Sequence, residues 1–364
     1  MALHQIRLPK NAAHLFRVVA FQKRLLKALS EPALDPNAVD ISWIQSVWKT
    51  LDKEWVRKFC RGKEESVLIP LKEMASAPLP ARQALFAEFC RQNRVKALLD
   101  AGGNFQKLDE LPGFTDNHAK AVKKFFGRCY DLLGEDKAIN WAGYAFPASR
   151  AARAVSRASY MEQFRREFPT SVLCPYCDGD IGTPQLDHYM AKSKFPLLSC
   201  SPWNLVPICP SCNEVATAKG NRLAITLGPP HSTRDWLHPF FRPASVDVKI
   251  KLTGSPKASI PQLFSPHSAE VLPLKNHTEL VPSLSRRWTN IAAASYEKLV
   301  NDVRRRLSPL NRLDSLVQMA LADHRANRGR YPFSLVNAAV CEAVLDYREE
   351  YIEEFTDPNP PRLV

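Results

Sequence analysis

Between residues 12 and 30 (AAHLFRVVAFQKRLLKALS) apolar side chains recur every three or four positions, the period that lines one face of an α-helix. The same period returns over residues 41 to 60, 81 to 99, 117 to 133 and 149 to 167, and it predicts an all-helical N-terminal region. Proline and glycine interrupt it at 31 to 38 (EPALDPNA), 76 to 80 (SAPLP) and 101 to 104 (AGGN), stretches short enough to be inter-helix loops. From 171 to 222 the texture changes to short β-like runs, paired cysteines and turn residues. Residues 246 to 252 (VDVKIKL) alternate apolar and polar side chains, as one face of a half-buried strand does. Residues 285 to 307 and 334 to 355 are helical in pattern again, ahead of a proline-rich end, DPNPPRLV, expected to fray. The chain thus divides into a helical region (1–168), a compact module (169–225), a small β-rich region (226–284) and a second helical region (285–364), an α+β arrangement.

Two negative features narrow the class. No apolar run approaches the ~20 residues of a membrane-spanning helix, and the opening residues, MALHQIRLPKNAAHLF, hold no signal-peptide stretch, so a cytoplasmic protein is expected. Hydrophobic residues make up 45% of the chain, with seven Trp and eighteen Phe, enough apolar surface for most of it to fold. The formal charge of +13 and a pI near 9.4 then change the picture, because such a cationic surface concentrates polyanions and makes nucleic acid the leading partner. Charge alone does not define an activity.

The cysteines supply the missing chemistry. Of the nine, four fall in two C-x-x-C pairs, Cys174/Cys177 and Cys209/Cys212, a spacing that aims both sulfurs of a pair at one point about 2.3 Å away. Four thiolates close a tetrahedral Zn²⁺ site with no open position, so the ion is expected to be structural. Cys60, Cys90, Cys129, Cys200 and Cys341 stand singly among apolar residues and read as buried small hydrophobes.

Between the pairs, Asp187 and His188 sit side by side at the end of a short β-like run. Strand neighbours point to opposite faces, so both can reach one site only where the strand ends or distorts. Asp187 offers oxygen to a hard cation such as Mg²⁺ or Mn²⁺, and a neutral His188 can take a proton from a water aimed at phosphorus. Asn204, the polar exception in the second run (WNLVPI), can pin the intervening loop or fix the His188 ring. Pro210 and Ser211 start a helix that puts Cys212 and Asn213 in its first turn, where Asn213 can present a carbonyl oxygen to the metal. Lys192, Lys194, Lys219 and Arg222 are the candidate phosphate contacts, being the cations clustered around these residues.

In this order, C-x-x-C, D-H, N, C-x-x-C-N, the stretch from Cys174 to Asn221 resembles the HNH, or ββα-metal, nuclease family, over about 50 of the 364 residues. The resemblance implies a zinc-clipped ββα-metal nuclease module between mainly α-helical regions. In it Asp187 and Asn213 would bind one catalytic Mg²⁺, His188 would be the general base and Asn204 its orienting partner, and the products would carry 5′-phosphate and 3′-hydroxyl ends. The third motif position holds Asn in place of His, a variant the family uses. One departure concerns the basic residue and glycine that many members carry a few positions after the last motif residue: Ala216 and Thr217 stand there, and Lys219 and Gly220 arrive a turn later. Residues 236 to 242 (WLHPFFR) also resemble a stretch in bacterial HNH proteins encoded beside ATPases, in anti-phage systems of the Septu kind and in retrons. His238 there reads as packing against the module. The expectation is a DNA endonuclease of a bacterial defence system with an ATPase partner subunit. The rivals are an RNA- or tRNA-directed nuclease and a zinc-knuckle nucleic-acid-binding or adaptor protein with a degenerate site.

Overall fold

The computed structural model describes residues 3–48, 53–60, 67–131, 157–168, 173–214, 219, 233–255, 257, 259–307 and 312–356. Residues 149 to 156 of the expected fifth helical run, and the proline-rich end from 357, lie outside them. The N-terminal region is helical, though in more pieces than the period predicts, with α4 outside the expected runs and the runs 41 to 60 and 81 to 99 each split in two: α1 (Ala12–Leu29), α2 (Ile41–Val47), α3 (Lys53–Cys60), α4 (Leu68–Ser76), α5 (Leu79–Gln92), α6 (Val95–Ala101), α7 (Asp116–Asp131) and α8 (Arg157–Glu167). In α1 the positions Leu15, Val18, Leu25 and Leu29 are all buried, which is the helical spacing made physical. The predicted breaks are loops with local causes. Asp40 caps α2 by accepting the Trp43 amide at 2.7 Å, and Gly102 ends α6 in the left-handed conformation, φ 67°, that a side chain resists.

Next come β1 (Gln185–His188), β2 (Leu205–Ile208) and the short helix α9 (Pro210–Asn213), then a second hairpin of β3 (Lys249–Thr253) and β4 (Ile260–Phe264). Helices α10 (Ser268–Leu280), α11 (Leu284–Arg306), α12 (Leu313–Ala326), α13 (Ser334–Asp346) and α14 (Arg348–Thr356) follow. Both sheets are two-stranded and antiparallel; in the first, Asp187 lies opposite Val206 and His188 opposite Leu205.

The region expected to be β-rich, 226 to 284, is only partly so, because α10 occupies its last part. Pro273 lies inside that helix and removes a backbone donor, which hides the period. Burial of Leu274, His277 and Leu280 outweighs the lost bond.

Two apolar cores meet at the central module. The first joins Phe21, Phe59, Phe89, Phe125 and Phe126 and reaches Leu197, Cys200 and Leu205 of the module. The second joins Trp236, Trp288, Tyr296 and Val336 to the four paired cysteines, Val206 and Ile208. Segment 173–214 is thus shared between the two cores: Leu197, Cys200 and Leu205 join the first, while the cysteines and the loop residues Met190, Phe195 and Leu198 join the second. Among the described residues no helix is long and apolar enough to cross a membrane.

Candidate metal centre and histidine site

Cys174, Cys177, Cys209 and Cys212 are all buried, and their Sγ atoms lie within 4.8 Å of one another. Four sulfurs at about 2.3 Å from one ion stand about 3.8 Å apart in a tetrahedron. The Cys177 to Cys209 separation is 3.7 Å. The cluster is therefore one that could bind zinc. Burial, and after it the neighbouring cysteines, push the Cys174 thiol well up, so a bound cation would be needed for these enclosed sulfurs to ionise together.

Each half of the cluster is a tight turn. The Cys177 and Asp178 amides donate to the Cys174 carbonyl at 3.3 and 3.1 Å, and the Cys212 amide donates to the Cys209 carbonyl at 3.0 Å. Asp178 has a left-handed φ of 61°, a conformation that costs a non-glycine residue energy unless its side chain is bonded. Its carboxylate is: it takes the Leu335 amide at 2.9 Å and His4 Nε2 at 2.5 Å, while its carbonyl accepts from the Phe333 amide at 2.7 Å. The C-terminal core adds Trp288 Nε1 to the Cys177 carbonyl at 3.0 Å, His277 Nε2 to the Tyr176 carbonyl at 2.7 Å, and an Arg287 guanidinium nitrogen 3.0 Å from Cys212 Sγ. That guanidinium would offset part of the charge that four thiolates would leave around one divalent ion.

The hairpin between the cysteine pairs carries Asp187 and His188 at the end of β1, both buried. His188 Nε2 lies 3.0 Å from the Ser199 carbonyl. A carbonyl only accepts, so Nε2 carries the hydrogen and Nδ1 keeps its lone pair. Burial pushes the imidazole down to about 3 against the pull of that carbonyl, and the ring is neutral near pH 7. Tyr130 packs edge-on to it, centroid to centroid 4.4 Å, and Lys192 Nζ and Arg157 Cζ stand 4.6 and 5.1 Å from the centre of the Tyr130 ring.

Asn204 pins the loop and does not touch the histidine. Its Oδ1 accepts from the Met190 amide at 2.7 Å, and its Nδ2 donates to the Met190 and Leu198 carbonyls at 3.0 and 3.1 Å. Ser199 follows Leu198 directly, so the ring's carbonyl partner is positioned by this same set of bonds.

The expected oxygen site for a hard metal is arranged differently. Lys219, expected to face phosphate, is instead fully enclosed: its ammonium lies 3.0 and 2.9 Å from the two oxygens of Asp187 and 2.7 Å from the His188 carbonyl. The cation follows the buried carboxylate because an unpaired charge in that position is expensive. Tyr176, inside the first C-x-x-C, donates its hydroxyl to Asp187 at 3.0 Å. Burial raises the Asp187 carboxyl, with Lys219 and then Tyr176 opposing. Asn213 donates its Nδ2 to Gln185 Oε1 at 2.8 Å. As arranged, these donors do not fit a Mg²⁺ or Mn²⁺ ion, because an ammonium already spans both oxygens of the carboxylate.

Of the other phosphate candidates, Lys194 is exposed, Lys192 is half-exposed and 3.5 Å from Asp131, and Arg222, like Ala216 and Thr217, lies outside the described residues. His238 is buried against Tyr189 and beside Phe241, a packing role as its surroundings suggest. Sequence reasoning missed Tyr130, Arg157, Ser199, Tyr176, Asp178 and His4. Only Tyr176 had a local signal, an aromatic with a polar tip between two ligating cysteines.

No protein-family model, curated protein or solved structure matches the chain.

Proposed function

We propose that this chain is an HNH-type phosphodiester hydrolase acting on DNA, with Zn²⁺ held by Cys174, Cys177, Cys209 and Cys212 as a structural clip and His188 as general base. The observation that carries the reading is the placement of His188: an imidazole at the end of β1, beside Asp187, with Nε2 donating to the Ser199 carbonyl, which leaves Nδ1 as the nitrogen with the lone pair. In the proposed step Nδ1 takes a proton from water as its oxygen attacks phosphorus, and the bond to the 3′ oxygen breaks. Lys192 and Arg157, next to the ring that covers His188, are the cations best situated to hold the phosphate. The net charge of +13 supports a polyanionic substrate. No step is routed through a divalent ion, because Asp187 is committed to Lys219.

The test is cleavage of supercoiled plasmid, single-stranded DNA and total RNA by the full chain, with and without added Mg²⁺ or Mn²⁺. His188→Ala should lower the rate by roughly 10² to 10⁴ while leaving nucleic-acid affinity nearly unchanged. Cleavage at an unchanged rate by that variant, or no cleavage under any condition, sinks the reading. One observation favours a second reading, a zinc-clipped binding or adaptor protein: the closed Asp187–Lys219 pair. Retained gel shift with no cleavage by any variant selects it.

A further inference from the structure

Lys219 is held in a way that an ordinary surface lysine is not. Its backbone amide donates to the Cys212 carbonyl at 3.2 Å, which hangs the residue from the cysteine cluster. Its side chain is 0% exposed, and its ammonium meets three acceptors, Asp187 Oδ1 at 3.0 Å, Asp187 Oδ2 at 2.9 Å and the His188 carbonyl at 2.7 Å. Three protons and three oxygens leave no donor over. Two carboxylate oxygens and a backbone carbonyl form the all-oxygen donor set that hard cations prefer, and here a tethered ammonium holds it.

We infer that Lys219 is the resident cation of this site and that it excludes a divalent ion from Asp187, the two binding the same carboxylate oxygens in mutually exclusive fashion; the inference rests on the HNH-type reading only for its consequence in catalysis. The ammonium and Asp187 together are neutral. A divalent ion added beside them would put three positive charges around one enclosed carboxylate, where water screens little. Removing the ammonium without changing the carboxylate leaves a buried anion with Tyr176 as its donor, and a hard cation then has every reason to enter. The zinc cluster, by fixing the lysine backbone, sets how firmly the hard-metal position is held closed.

The test is Mn²⁺ binding, followed by loss of the free-ion EPR signal, on zinc-loaded full chain. An adjacent cation changes the affinity of a carboxylate for a competing proton by roughly 10- to 10³-fold, and a competing metal ion should gain at least as much. Lys219→Met should therefore bind one Mn²⁺ roughly 10- to 10³-fold more tightly than the wild type, and Asp187→Asn with Lys219→Met should lose that site. Zinc content and far-UV circular dichroism report folding; should Lys219→Met not fold, Lys219→Gln carries the same comparison with a neutral hydrogen-bonding side chain. Equal Mn²⁺ affinity in the wild type and the folded neutral variant overturns the inference, as does a new site that survives Asp187→Asn. Because Mn²⁺ binding is read without any nucleic acid, failure of the nuclease reading and failure of this one are separate results.

Discussion

Asn204→Ala is the perturbation whose size follows most directly from geometry. The side chain is 2% exposed and makes three hydrogen bonds, to the Met190 amide at 2.7 Å and to the Met190 and Leu198 carbonyls at 3.0 and 3.1 Å. Truncation strands one buried donor, the Met190 amide, and one buried acceptor, the Met190 carbonyl; the Leu198 carbonyl keeps the Ser201 amide at 3.1 Å. A net hydrogen bond is worth about 1 kcal/mol and each of the two stranded groups costs about 1–3 kcal/mol, so allowing for some relaxation the loss should be about 2–4 kcal/mol. That is a large part of the ~5–15 kcal/mol by which a typical domain is stable. Asn204→Asp keeps the acceptor for Met190 but turns a carboxylate on two carbonyls, and it should be no better than alanine. Urea unfolding of zinc-loaded protein gives the free energy, and hydrogen exchange at the Met190 amide gives the local effect. Zinc content should stay at the wild-type level, because all of β2 separates Asn204 from Cys209. A loss below about 1 kcal/mol, or an unchanged Met190 exchange rate, refutes the claim that this side chain holds the loop.

Two further outcomes concern the metal cluster and the histidine. Cys177→Ser or Cys212→Ser should release zinc and unfold the central module together, since binding free energy there is folding free energy; a zinc-free protein that melts unchanged in strong chelator contradicts it. For His188, burial lowers the folded value to about 3 from 6.5, so below pH 6.5 the unfolded chain binds a proton that the folded chain refuses. The contribution is nil above that pH, and stability falls by about 1.4 kcal/mol for each unit as pH drops toward about 3. Buried His238, also pushed down by desolvation, acts in the same direction. An NMR titration that places the His188 midpoint near 6.5 in the folded protein rejects this account.

The parts legible in the sequence are those with local causes. The helical period of 12 to 30 reappears as α1 to within a residue, and two C-x-x-C spacings suffice to bring Cys174, Cys177, Cys209 and Cys212 together, because each pair needs only its own turn and one hairpin. Asn204 was legible as a hydrogen-bonding exception in an apolar run. The neighbourhood of His188 was not: Tyr130 and Arg157 arrive on α7 and α8, and no periodicity relates them to a strand far along the chain. Lys219 misled for a related reason. A lysine after a motif reads as solvent-facing by default, and only the buried carboxylate at Asp187 turns it inward. The helix α10 escaped because Pro273 looks like a stop when the energy of burying Leu274 and His277 is not in view.

The bonds around Asp178 also tie together segments that are remote in sequence. The Leu3 amide donates to the Pro175 carbonyl and His4 reaches Asp178, across 174 positions; the same aspartate then takes the Leu335 amide, 157 positions further on. Two of its three partners, the Phe333 and Leu335 amides, lie at the start of α13, far from the cysteine turn in sequence. Closing such long loops is slow in kinetic terms even where its entropic cost grows only gently with length. The turn at Asp178 is therefore a long-range junction: its carboxylate and carbonyl are fully partnered only when residues 3–4 and 333–335 have both packed against the cysteine-bearing module, so loosening either segment should loosen the turn as well.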